Sequence, residues 1–194
     1  MNNRTNLMST KKLVLGAALS AIVIVLQFMG AFIRFGTFSI SLVLVPIVIG
    51  AAMCDWRIGG WLGFLFGVVV LLSGDAALFL AINIPGTVIT VLLKGTACGL
   101  VAGLVYKALE RFNRYVAVVA AAIVCPVVNT GVFLLGCVVF FMDTVTSWAS
   151  GANVFAFMIV SFVGLNFLVE LAINMVLSPM IVRILNIKQK GVSK

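Results

Sequence analysis

Lys94 is the residue in this sequence that most needs a chemical explanation. It follows Pro85 by nine positions in an apolar stretch, about 13 Å along a helix axis at 1.5 Å per residue. An unpaired lysine at such a depth in lipid costs about 3 kcal/mol on insertion scales. Thr87, Thr90, Lys94 and Cys98 fall on one helical stripe. A second stripe, Asn166, Glu170 and Asn174, recurs every four residues in the last apolar stretch, and Asn129 interrupts the stretch before it. Lys94 and Glu170 are the only opposite charges at depth, and pairing them would remove most of the cost of each. Two readings compete. Either the pair is an interhelical staple with asparagines as polar glue, or these groups line a pocket that binds a polar solute. The number of asparagines favours the pocket, because a staple needs fewer polar groups. Lys94 would then meet an anionic or carbonyl group. Arg34, Phe35 and Phe38, with Asn83 on another outer loop, could close the pocket or serve as ordinary interface residues.

Other chemistry is excluded by what the chain lacks. It has no histidine and only five carboxylates, Asp55, Asp75, Glu110, Asp143 and Glu170, which removes histidine triads and imidazole metal sites. There is no phosphate-binding GxxxxGK[ST] loop and no HExxH. Cys54, Cys98, Cys125 and Cys137 lie in apolar runs without CxxC spacing and read as small buried hydrophobes. Asp75 and Asp143 read as solvated loop charges. No catalytic residue, metal or cofactor is expected, and the chain does not read as an enzyme.

The elements that must carry these groups are membrane helices. Of the residues, 63% are hydrophobic and 9% charged, where a soluble domain carries roughly a quarter charged. One membrane domain is expected, an all-α bundle of six spans at about 13–33, 38–54, 57–73, 85–107, 115–141 and 153–185. The first run exceeds the length of a signal-peptide core and lacks a small-x-small cleavage site, so it is read as a helix. Pro85 suits a first helical turn, Pro46 breaks the second run and Pro126 predicts a kink. The segment 143–151, DTVTSWASG, reads as a turn-rich loop whose Trp148 suits an interface. Six spans put both termini on one side. Arg4, Lys11, Lys12, Arg57, Lys107, Arg111, Arg114, Arg183, Lys188, Lys190 and Lys194 all fall there, against Arg34 on the other. That bias in short loops predicts cytoplasmic termini, and it assigns the net charge of +8 to membrane orientation rather than nucleic acid.

Gly59, Gly63 and Gly67, and again Gly95, Gly99 and Gly103, recur every four residues, a spacing that lets helix backbones approach closely in lipid. Ala17 and Ala21 form a similar face on the first helix. That face could dock inside the bundle or meet another membrane protein.

Five segments together resemble the substrate-binding S component of energy-coupling factor (ECF) vitamin transporters. They are KKLVLGAALSAIVIVLQF, FSISLVLVPIVIGAAM, GGWLGFLFGVVVLLSGDAA, LLKGTACGLVAGLVYK and NFLVELAINMVLSP, in order across the chain. The resemblance implies a six-helix protein of the bacterial cytoplasmic membrane that captures a vitamin or precursor from outside. The pocket would be built by the last three spans and the outer loops. It also implies a transmembrane T component, docked on the AxxxA face at Ala17 and Ala21, and two cytoplasmic ATPases that power transport. The third small position of an extended face is Val25 here. Where some relatives carry Asn-Pro, Ile84 intervenes between Asn83 and Pro85. Where some place a lysine four residues after a helix-six asparagine, Asn166 is followed by Glu170. Two other classes fit the topology: a non-transporting scaffold similar to the cell-shape protein MreD, and a stand-alone secondary carrier.

Overall fold

Helix starts in this chain are written by short polar side chains. Asp55 Oδ1 accepts from Trp56 N at 2.8 Å, Asn83 Oδ1 from Gly86 N at 2.9 Å, and Asn113 Oδ1 from Tyr115 N at 2.8 Å. Each satisfies a backbone N–H that the first turn leaves unpaired. The computed structural model describes residues 10–30, 34–35, 38–39, 42–151 and 153–190. Over these the chain is built from α1 (Thr10–Gly30), α2 (Leu44–Met53), α3 (Trp56–Leu72), α4 (Ala77–Leu80), α5 (Ile84–Leu109), α6 (Arg114–Phe140), α7 (Met142–Ala149), α8 (Val154–Met158) and α9 (Gly164–Lys190). A π-helical turn, Ile159–Val163, joins α8 to α9. Among the described residues α1, α5 and α6 are each long and apolar enough to cross a bilayer.

The short helix α2 is the centre of the bundle. Leu44, Ile47 and Val48 are fully buried, and α1, α3, α5, α6 and α9 all pack on it. The sequence predicts a helix from about Phe38, whereas Phe38–Ser39 pairs antiparallel with Arg34–Phe35 in a two-residue ladder and α2 begins at Leu44. Pro46 explains the late start. In the first turn its missing N–H has no partner to lose, but a helix begun at Phe38 would put it in the interior at a cost of about 3 kcal/mol. Phe38, Ser39, Ile40 and Ser41 also alternate with the period of a strand.

The 143–151 segment is a second difference, because most of it is helix α7 rather than loop. Val145 and Ala149 are buried on one face. Thr146 Oγ1 donates to Met142 O at 2.8 Å and Ser147 Oγ to Thr144 O at 2.7 Å, so polar side chains that suggest a loop are bonded within the helix. The helix ends at Ser150 and Gly151, with φ of 47° and 88°.

The scaffold beneath the site is the α3–α5 pair. The two glycine stripes face each other so closely that a Cβ on Gly63 would strike Gly95 O, one on Gly95 would strike Gly63 O, and one on Gly99 would strike Gly59 O. Gly103 likewise lies against the Trp56 backbone. Backbone meets backbone along this seam, which is how helices gain dispersion energy in a solvent that drives no hydrophobic association. All four cysteines are buried free thiols.

Candidate solute-binding site

With its glycine face on α3, α5 turns Thr90 toward Gly136 of α6 and sets Lys94 between rings of α3 and α6. Lys94 Nζ sits 5.7 Å from the Phe66 ring centroid and 5.4 Å from that of Phe133, so two aromatic faces stabilise the ammonium through their quadrupoles. Glu170 and Asp75 are the carboxylates whose field reaches it. The predicted partner Glu170 is thus a neighbour within electrostatic range of an ammonium that also lies over two rings.

Glu170 is buried on α9, and one turn further Asn174 Nδ2 donates to the Glu170 carbonyl at 2.9 Å. Asn129 is buried on α6, one turn from Cys125 and one turn from Phe133. The Glu170 field reaches Cys125 as well as Lys94, which ties the α6 and α9 polar groups to the same region. Thr90 packs into the notch left by Gly136 of α6. Thr90 Oγ1, Asn129 Oδ1 and Asn174 Oδ1 are buried without a hydrogen-bond partner among the described residues. Native proteins leave few such groups unpaired, so three on facing helices require an explanation.

The other predicted residues have structural partners or fall outside this region. Thr87 Oγ1 donates to Asn83 O at 2.7 Å, and Asn83 Oδ1 caps α5. The side chains of Arg34 and Asn166, and those of Phe35 and Phe38, lie outside the described residues.

Aromatic residues complete the site at the α4–α7 end of the bundle. Phe79 of α4 stacks edge-on against Phe133 at 5.5 Å, Phe141 at 5.1 Å and Trp148 at 6.0 Å. Phe133 therefore touches both this cluster and Lys94. Asp75 departs from the solvated loop charge expected, since it accepts a 2.8 Å hydrogen bond from Nε2 of Gln27, a fully buried residue of α1. Phe66, Phe79, Phe133 and Gln27 were not legible as site residues. Only Gln27, a lone amide in an apolar helix, carried a sequence signal.

A family model covers most of this apolar, helical chain. The model for the ECF transporter substrate-specific component matches residues 11–182. The chain belongs to this family. No curated protein and no solved structure matches it significantly. This S component is accordingly a multi-pass membrane protein and a subunit of a transporter. Its first helix buries Leu19, Val23 and Gln27 against the bundle, which leaves Ala17 and Ala21 exposed on the opposite face. The AxxxA face is thus turned away from the bundle's interior.

Proposed function

We propose that this S component captures a small vitamin or vitamin precursor from outside a bacterial cytoplasmic membrane for ATP-driven import by partner subunits. The observation that carries the reading is Lys94, an ammonium over the Phe66 and Phe133 rings and within the field of Glu170, close to buried amide oxygens that lack a donor among the described residues. An ammonium at reduced dielectric favours an anionic or carbonyl partner strongly, and a ligand can supply one. Glu170, Asn129, Asn166 and Asn174 supply the remaining hydrogen bonds, with Thr87, Thr90, Asn83 and Arg34 toward the outer mouth. The chain crosses the bilayer six times with both termini in the cytoplasm, where eleven of the basic side chains then lie. The exposed Ala17–Ala21 face receives the T component, and two ATPases supply the energy that this chain has no motif to harvest.

Equilibrium binding of a vitamin panel to the purified wild type and to Lys94→Ala tests the site. The alanine variant is expected to lose about 100-fold in affinity, the scale of one charge-assisted hydrogen bond in a buried site. Unchanged affinity removes Lys94 from the site. Family membership supports this reading over the MreD-like scaffold, and co-purification of ATPase subunits rather than cell-wall machinery separates the two. Uptake in vesicles lacking any ATPase would instead establish a stand-alone carrier.

A further inference from the structure

Two of the three unpartnered atoms in the polar seam are amide oxygens, and the third is the Thr90 hydroxyl, which can donate or accept. Asn174 is fully buried, and its amide orientation is fixed because Nδ2 donates to the Glu170 carbonyl. Reversing the amide would set oxygen against oxygen. Its Oδ1 is therefore an acceptor, and it has no donor among the described residues. Asn129 Oδ1 is a second buried amide oxygen with no donor among the described residues, a turn from the ring on which Lys94 rests. The Glu170 carboxylate belongs to the same seam. A buried acceptor without a donor is costly, and a site built around such groups rewards a ligand that supplies the missing hydrogens.

We propose, on the footing of the solute-capture reading, that Asn129 and Asn174 are specificity-determining acceptors for N–H or O–H groups of the solute. The opposite end of the solute offers a carboxylate or carbonyl to Lys94. The substrate class is thus an acid or carbonyl compound that also carries amide, ureido or hydroxyl donors, not a bare anion.

Calorimetric titration of the full chain in lipid nanodiscs tests this with four probes. Pantothenate carries a carboxylate with amide and hydroxyl donors, biotin a carboxylate with ureido donors, riboflavin carbonyls with imide and hydroxyl donors. Nicotinate has a carboxylate with no N–H or O–H at neutral pH. A donor-bearing probe is expected to bind tightest, and its N- or O-methylated derivative to bind roughly 10- to 100-fold more weakly. That discrimination should collapse to below about threefold in Asn174→Leu or Asn129→Leu, while the variants unfold at or above the wild-type temperature. Tightest binding of nicotinate, or indifference to methylation, overturns the proposal. So do leucine variants that are destabilised yet still discriminate, since water would then be satisfying the two oxygens. The methylation comparison uses wild-type protein, so it decides even if a leucine variant fails to fold. Failure of every probe to bind, with no small molecule co-purifying by native mass spectrometry, sinks solute capture itself.

Discussion

The two sides of α5 are opposites. Toward α3 it presents Gly95, Gly99 and Gly103, and the approach is so close that a single added methyl group has nowhere to go. Toward α6 it presents Thr90, whose Oγ1 is buried without a partner among the described residues, and on the same stripe Lys94 reaches rings of both neighbours. The first face is satisfied by the protein alone, the second is not. On the proposed reading, a supporting helix fixed by backbone contact holds Lys94 in place for a ligand, which is the arrangement preorganised sites need. Stability and binding would then fall on different faces of one helix, and substitutions should sort accordingly.

The sharpest way to break this contrast is to make the same chemical change in both environments. Gly63→Ala drives a Cβ into the Gly95 carbonyl. It should cost about 1–3 kcal/mol or more, since backbone cannot move aside as a flexible side chain can. Gly131, in α6, has nothing within 4 Å of a built Cβ, and Gly131→Ala should stabilise by about 0.5–1 kcal/mol through helix propensity. Thermal unfolding in detergent reads both. Equal shifts of the same sign would show that the α3–α5 seam is looser than its geometry.

How much of this was written in the sequence depends on whether the signal is local. The all-helical membrane fold was legible because lipid permits few alternatives to long apolar helices. The start of α5 was legible in Asn83 and Pro85, a cap and a first-turn proline. The glycine spacing revealed a close-packing face on each helix but not that the two faces meet, because a stripe encodes no partner. α7 was misread because its polar residues bond within their own helix, and the burial of Val145 and Ala149 that holds it is tertiary. Lys94 stood out by its cost in lipid. Its aromatic neighbours did not, since nothing in the spacing of 15 phenylalanines singles out Phe66 and Phe133.

Between the two faces in expected effect lies the Gln27–Asp75 hydrogen bond, which joins α1 to the segment between α3 and α4. Gln27→Leu fills the same space and removes the donor, leaving Asp75 short of one partner. A loss of about 1–3 kcal/mol is expected if the bond is formed within the fold. Combined with Gly63→Ala it should be nearly additive, because the two changes share no partner. Strong non-additivity would mean that the polar end and the glycine seam are coupled, and the division of α5 into independent faces would fail.

The finest test uses two threonines three residues apart on α5. Thr87 Oγ1 donates to the Asn83 carbonyl, whereas Thr90 Oγ1 is buried against Gly136 without a partner. Valine has nearly the shape of threonine and lacks the hydroxyl. Thr87→Val forfeits a hydrogen bond and should destabilise by up to about 1 kcal/mol. Thr90→Val removes an oxygen that gains nothing in the ligand-free fold, so it should be neutral or stabilising by a few tenths of a kcal/mol on the same scale. Chemical unfolding of the ligand-free variants, run side by side, measures the difference in sign. If Thr90→Val is the more damaging change, its hydroxyl already has a partner within the fold, and the face toward α6 is no less satisfied than the face toward α3.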